Sequence, residues 1–140
     1  MSAEAPRPYY RSMKVSADGG PRCGPTGACL GVRPPVIGVK RGDIPTDASG
    51  RVVPNSGGLS VTPDDPAFMP EEFRPETLDG GLSRLPLFMI QAGEIGSDLQ
   101  IRPDPRKPRT HHFFEPVRAM HIDAYQGVLC ATAPRWRRPG

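Results

Sequence analysis

Proline and glycine interrupt this chain every few residues. With 19 prolines and 16 glycines, the two make up a quarter of its 140 residues. Proline fixes φ and removes a backbone donor, and glycine loses the most conformational freedom on ordering. Long helices and long central strands are therefore ruled out over most of the length. This content borders on that of disordered chains. The apolar residues nevertheless gather in short runs and the charges are mixed, which points to a loop-rich globular domain. The length fits one domain with a modest core. The expected organisation is a flexible N-terminus over residues 1–8 and a single domain over 9–140.

Short strands are legible where β-formers cluster. Tyr9 to Val15 alternates, with Tyr9, Arg11, Met13 and Val15 on one face and Tyr10, Ser12 and Lys14 on the other. Ser16 to Gly50 is a long irregular stretch, in which Val36-Ile37-Gly38-Val39 reads as a short strand or core plug. Turn signals bracket Arg51-Val52-Val53 and then Leu59 to Thr62. Pro63 to Pro75 is proline-studded, with one helical turn near Glu71-Glu72-Phe73. Leu87 to Ile90 is the most apolar strand, followed by Leu99 to Arg102. Arg109 to Glu115 alternates again, with Thr110, His112 and Phe114 opposite His111, Phe113 and Glu115. One helix is expected, from Ile122 to Thr132, because Ile122, Tyr125, Val128, Leu129 and Thr132 fall at helical spacing and Pro134 ends the run. Trp136 is expected to pack back on the body. The fold class is α+β: a small antiparallel sheet, many loops and a C-terminal helix.

The formal net charge is +3. Its excess lies in two tracts, Arg102 to Arg109 and Arg135 to Arg138, which read as solvated surface or as attraction to a polyanion or diphosphate. The cysteines are Cys23, Cys29 and Cys130. An odd number without a Cys-x-x-Cys pair argues against a disulfide framework or structural zinc. Free thiols in a reducing compartment are expected, with a Cys23–Cys29 bridge as the alternative. No secretory h-region stands at the N-terminus. The longest apolar run, near Leu85 to Ile90, is too short to cross a bilayer. A soluble protein acting in a cytoplasm is the expectation.

Candidate chemistry falls at a few positions. Arg11 lies mid-strand beside the tyrosines; its guanidinium either packs its stem at a sheet edge with its head in water or reaches into a cleft, where its planar fork suits phosphate or ribose. Gly57-Gly58 leads into Ser60 at the head of an apolar strand. This is an ordinary turn or a place where backbone and hydroxyl approach a ligand. No Gly-x-Ser-x-Gly elbow is present, so a binding hydroxyl fits better than a nucleophile. His111 and His112 are adjacent on a strand and point to opposite faces, which argues against a shared metal ion. Glu115 shares a face with His111 and is either a strand-end charge or a carboxylate beside a reacting sugar. Asp64-Asp65 and Glu71-Glu72 read as surface pairs.

In order and spacing these pieces resemble a family. Tyr10-Arg11, Gly57-Gly58-Leu59-Ser60-Val61, the run Asp98 to Asp104, Thr110-His111, Pro116 to Met120 and the closing helix with Trp136 are similar to the small antibacterial toxins of the type VI secretion system with an ADP-ribosyltransferase-like fold. The likeness covers the C-terminal two-thirds; Ser16 to Gly50 matches poorly. It implies a split antiparallel sheet gripping NAD, with Arg11 on the dinucleotide, Gly57, Gly58 and Ser60 at the nicotinamide-ribose pocket, and His111 completing the cleft. It also implies a cognate immunity protein and a macromolecular acceptor for ADP-ribose. Many such enzymes place a catalytic glutamate in a Glu-x-Glu or Gln-x-Glu pair. This chain has none in place, and Glu115 is the nearest candidate. Two other readings stand beside it: a nucleic-acid-binding module built on the basic tracts, and an RNA 2′-phosphotransferase-like enzyme, which calls for more than one arginine in the cleft.

Overall fold

The computed structural model describes residues 7–34, 44–78 and 80–139. The segment expected at Val36 to Val39 lies outside them, as do residues 1–6 of the expected flexible N-terminus. Within the described residues the chain forms β1 (Pro8–Ser12), β2 (Arg51–Val52), β3 (Leu59–Pro63), β4 (Leu87–Gln91), β5 (Leu99–Pro103), β6 (His112–Pro116), β7 (Met120–His121) and α1 (Ile122–Ala131). Five strands make one antiparallel sheet in the order β4-β1-β3-β6-β5, and β2 pairs with β7 beside it. The class is α+β with short antiparallel strands, abundant loop and a C-terminal helix, as the sequence indicates. No helix among the described residues is long and apolar enough to cross a membrane.

Strand alternation decides which face is apolar. Tyr9, Leu59, Val61, Phe88, Ile90 and Phe114 are buried and join Tyr125 and Leu129 of α1 in the core. Removing such side chains from water contributes about 1.5–3 kcal/mol each. The helix meets the sheet through a polar contact as well: the Tyr125 hydroxyl donates to the Phe114 carbonyl and accepts from Leu59 N–H at 3.1 Å. A Cβ on Gly58 would lie 2.6 Å from the Phe114 carbonyl oxygen and 2.8 Å from that hydroxyl. Gly58 is thus demanded by this joint. The helix starts where His121 Nδ1 accepts from Asp123 N–H, and ends before Pro134. Trp136 does pack back, at 6.2 Å between ring centroids from Phe114, with its indole N–H donated to Thr132 Oγ1 at 2.9 Å.

Three expectations need correcting. The first strand stops at Ser12, because Lys14 N–H turns to the Ala28 carbonyl at 2.7 Å. Val15 therefore leaves the sheet and is exposed. The late strand begins at His112 rather than Arg109, since Thr110 and His111 N–H groups both bond back to the Lys107 carbonyl in a turn. The helical turn expected near Glu71 to Phe73 is present, with Phe73 and Arg74 N–H both donated to the Pro70 carbonyl, at 3.0 and 2.9 Å, and a 3-10 helix over Pro66–Phe68 precedes it, with Asp65 accepting from Ala67 N–H at 2.9 Å. The cysteines are not all free, nor does Cys23 bridge to Cys29. Cys23 is bonded to Cys130 on the last turn of α1, their Cα atoms 5.5 Å apart, and Cys29 faces inward as a buried thiol.

His112 and His111 do point opposite ways. His112 enters the core, where its Nδ1 accepts from the Tyr9 hydroxyl at 3.1 Å and its Nε2–H donates to the Pro108 carbonyl at 2.8 Å. Burial there pushes its pKa below the ordinary value. The folded state thus keeps His112 neutral where the unfolded chain, with a pKa near ~6.5, takes up a proton. Stability is complete above that pH and falls as the pH drops through it, by up to about 1.4 kcal/mol per pH unit for one proton. A thermal melt series from pH 7.5 to 5 is expected to slope downward more steeply for the wild type than for His112→Gln. Parallel slopes would contradict this reading.

Candidate functional site

The five-stranded sheet is parted along one seam. β1 and β3 pair only at Tyr9↔Pro63 and Tyr10↔Thr62. Past that point the strands separate, and the Arg11 guanidinium enters the gap. Its Nη1 donates to the Ser60 carbonyl at 2.9 Å, and its Nη2 donates to the Gly27 and Cys29 carbonyls at 3.1 Å each. One side chain thus ties β3 to the glycine-rich loop that follows β1. Arginine suits this work because its fork holds several donors in a fixed plane.

That loop packs tightly. A Cβ on Gly31 would sit 2.0 Å from the Gly24 carbonyl oxygen. Val32 N–H donates to Gln126 Oε1 of α1 at 3.0 Å, and the Cys23–Cys130 bond fastens the loop to the same helix.

Between the loop, the sheet face and the β5–β6 turn lies a cleft of about 670 Å³, within the range of small-molecule sites. Tyr10, Ser12, Ser60 and Thr62 form its floor. Arg33 stands on the loop side, while Arg106, Lys107 and His111 stand on the turn side. The proline-rich loop contributes Phe68 and Phe73, which are 46% and 57% exposed. The cleft therefore combines cationic groups with an aromatic edge. Ser12 deepens its floor: its residue is only 7% exposed, and its hydroxyl has no protein partner among the described residues.

The cleft brings together Arg11, Ser60 and His111, which the sequence singled out from three distant segments. It does not bring in the other three candidates. Glu115 is fully buried, with Oε2 accepting from Gly57 N–H at 3.0 Å and Oε1 from Arg102 Nε at 2.9 Å. Arg102 in turn lies over the Phe113 ring, 4.9 Å from its centroid. Gly57 has φ 119°, a conformation glycine adopts without strain, and presents its N–H to Glu115. Gly58 serves the joint with Tyr125. These three residues lie outside the cleft lining, where the turn before β3 meets β5, β6 and α1.

Sequence reasoning missed Asp104. It is 3% exposed and closes the β5–β6 turn, its N–H donated to the His111 carbonyl at 2.9 Å. Its Oδ1 accepts from Arg106 N–H at 3.0 Å, and its Oδ2 lies 2.8 Å from His111 Nδ1. The Arg106 N–H bond, helped by His111 and the Arg106 side chain, outweighs burial and holds this carboxyl well below the usual range. A readable signal existed: Pro103, Pro105 and Pro108 mark a tight turn that must bring Asp104 and His111 to its two ends. The acidic pairs Asp64-Asp65 and Glu71-Glu72 are exposed, as expected.

No protein-family model matches the chain. No curated protein sequence matches it either. The functional reading therefore rests on the cleft.

Proposed function

We propose that the cleft binds NAD and that the protein is an ADP-ribosyltransferase-type toxin, cleaving the nicotinamide–ribose bond and passing ADP-ribose to a macromolecular acceptor. The observation carrying this reading is the meeting of Arg11, Ser60 and His111 in one cleft with Arg33, Arg106 and Lys107. A dinucleotide has two chemical needs, cations for its diphosphate and flat surfaces for its rings. Arg33, Arg106 and Lys107 meet the first, and Phe68 and Phe73 the second. The hydroxyl of Ser60 suits a ribose. Breaking the glycosidic bond develops oxocarbenium-like charge on the sugar, so holding the ribose in a sheltered cleft favours reaction. In this reading the toxin acts in a bacterial cytoplasm after delivery by a contractile secretion system, and a cognate immunity protein covers the cleft.

The test combines binding and growth. Titration with NAD is expected to shift the amide signals of Arg11, Ser60 and His111 above all others. Expression in bacteria without a partner is expected to slow growth, and Ser60→Ala or His111→Ala to restore it in a chain that stays folded. Ser60→Ala is the cleaner probe, because it keeps the carbonyl that Arg11 needs. Arg11→Ala also removes the clamp on the loop. Unperturbed spectra together with normal growth would sink the reading.

A second reading draws on the same cleft. Arg11 has Arg33 and Arg106 as cleft companions, and several arginines are what an RNA 2′-phosphotransferase calls for. Supplying a 2′-phosphorylated RNA with NAD separates the two: phosphate leaves the RNA only under this second reading. The plain nucleic-acid-binding reading fares less well, since Arg102 pairs with Glu115 and Arg137 with Glu94. It predicts an affinity that falls steeply with salt and does not respond to NAD.

A further inference from the structure

We propose that Asp104 and His111 form a working dyad, in which Asp104 is a positioning residue that keeps a proton on His111 Nδ1 and leaves Nε2 as the proton acceptor of the cleft. The proposal rests on the NAD reading above and adds to it the groups that handle the proton. An ionised carboxylate only accepts hydrogen bonds. With Asp104 Oδ2 2.8 Å from Nδ1, that nitrogen must carry the hydrogen. The other nitrogen then has a lone pair, and no protein group engages it among the described residues. His111 lines the cleft with its side chain 28% exposed, whereas the Asp104 side chain is 4% exposed. One partner is thus open to a ligand and the other is shut away behind it.

Three contacts fix the imidazole. Asp104 holds Nδ1. The Phe113 ring packs edge-on at 4.7 Å between centroids. The Asp104 N–H to His111 carbonyl bond locks the two backbones together. Arg106 N–H occupies Oδ1, so the carboxylate cannot turn without losing that bond. His112, next in sequence, shows the contrasting arrangement: it donates from Nε2, accepts at Nδ1 and is buried. Of the two adjacent histidines, His111 has the tautomer and the exposure for proton transfer to a ligand.

In the proposed step, the bond from ribose C1′ to the nicotinamide nitrogen breaks, and its electron pair neutralises the pyridinium. An acceptor oxygen, of water or of a hydroxyl group, forms the new bond to C1′. Its proton passes to His111 Nε2 and from there to bulk water. Asp104 stays ionised throughout and stabilises the imidazolium formed, as a buried carboxylate does beside a general-base histidine.

The experiment reads nitrogen chemical shifts of His111 in the full chain without ligand, and then NAD cleavage. Wild type is expected to show a hydrogen on His111 Nδ1. In Asp104→Asn the amide oxygen can still accept from Arg106 N–H, which turns the NH₂ toward Nδ1 and moves the imidazole hydrogen to Nε2. NAD cleavage should then fall about 10²-fold or more in kcat, with the NAD dissociation constant within about threefold of wild type. A purely structural Asp104 would not move the tautomer. The dyad is overturned if wild-type His111 already carries its hydrogen on Nε2, a result that needs no variant to fold, or if Asp104→Asn cleaves NAD at the wild-type rate. A wild type that neither binds nor cleaves NAD overturns the NAD reading and the step with it. Cleavage that is indifferent to Asp104→Asn overturns the dyad alone.

Discussion

Replacing Glu115 by alanine is expected to lower folding stability by about 2–4 kcal/mol, which for a chain of this size is a fall in Tm of about 8–15 °C. The carboxylate is fully buried and satisfies two donors at once, Gly57 N–H and the Arg102 guanidinium. Alanine strands both. Breaking a buried ion pair on one side costs about 3–5 kcal/mol. The figure here is set lower because the Arg102 side chain is 24% exposed and can recover some hydration. Glu115→Gln keeps an acceptor for Gly57 but loses the charge opposite Arg102, so it is expected to cost about half as much. Chemical denaturation of both variants beside an NAD-cleavage assay decides between two roles. A carboxylate that joins the Gly57 turn to β5 loses stability in this graded order. A reacting carboxylate leaves stability untouched and abolishes turnover even as glutamine.

The contrast between Glu115 and Asp104 marks where sequence reasoning reaches its limit. Period and punctuation located most elements: α1 follows from the spacing of Ile122, Tyr125 and Leu129 before Pro134, and β4 from an apolar run after Pro86. Alternation placed Glu115 on the same sheet face as Phe113 and His111; the register puts Phe113 opposite Ser60 and Glu115 opposite Gln100, and the His111 ring, from the turn before β6, packs on Phe113. Sharing a face, however, does not mean sharing a cavity. What covers each part of a face depends on loops whose paths are set by distant contacts. The Gly57 turn folds over Glu115, while the β5–β6 turn leaves His111 open. The meeting of Arg11 with Ser60 was legible only as a coincidence of residue types. Its cause, the parting of β1 from β3 after Tyr10, is a pairing fact that neither strand carries in its own pattern. Gly58 shows the same ambiguity from the other side. Two glycines before a strand fit a ligand and a crowded helix joint equally well, and only the position of Tyr125 decides.

Reduction of the Cys23–Cys130 bond is expected to destabilise the protein by about 2–4 kcal/mol and to loosen one wall of the cleft before the sheet melts. The two residues are 107 apart in sequence, so the cross-link closes most of the chain into one loop and restricts the unfolded state strongly. Locally it fastens the glycine-rich loop to α1. The remaining ties of that loop include the Arg11 bonds to Gly27 and Cys29, the Gln126 contact with Val32 and a few backbone bonds. Gly27 and Gly31 line the cleft, so the loop's mobility bears directly on ligand affinity. Melts with and without a strong reductant, and of Cys23→Ser, should agree in a Tm lower by about 8–15 °C. Hydrogen exchange should rise first between Arg22 and Val32. The result bears on where the protein works, because such a bond persists in oxidising surroundings and opens in a reducing cytoplasm. If Tm and exchange are the same in both redox states, the Arg11 clamp and the other ties hold the wall without the disulfide, and the cleft keeps its form on either side of a membrane.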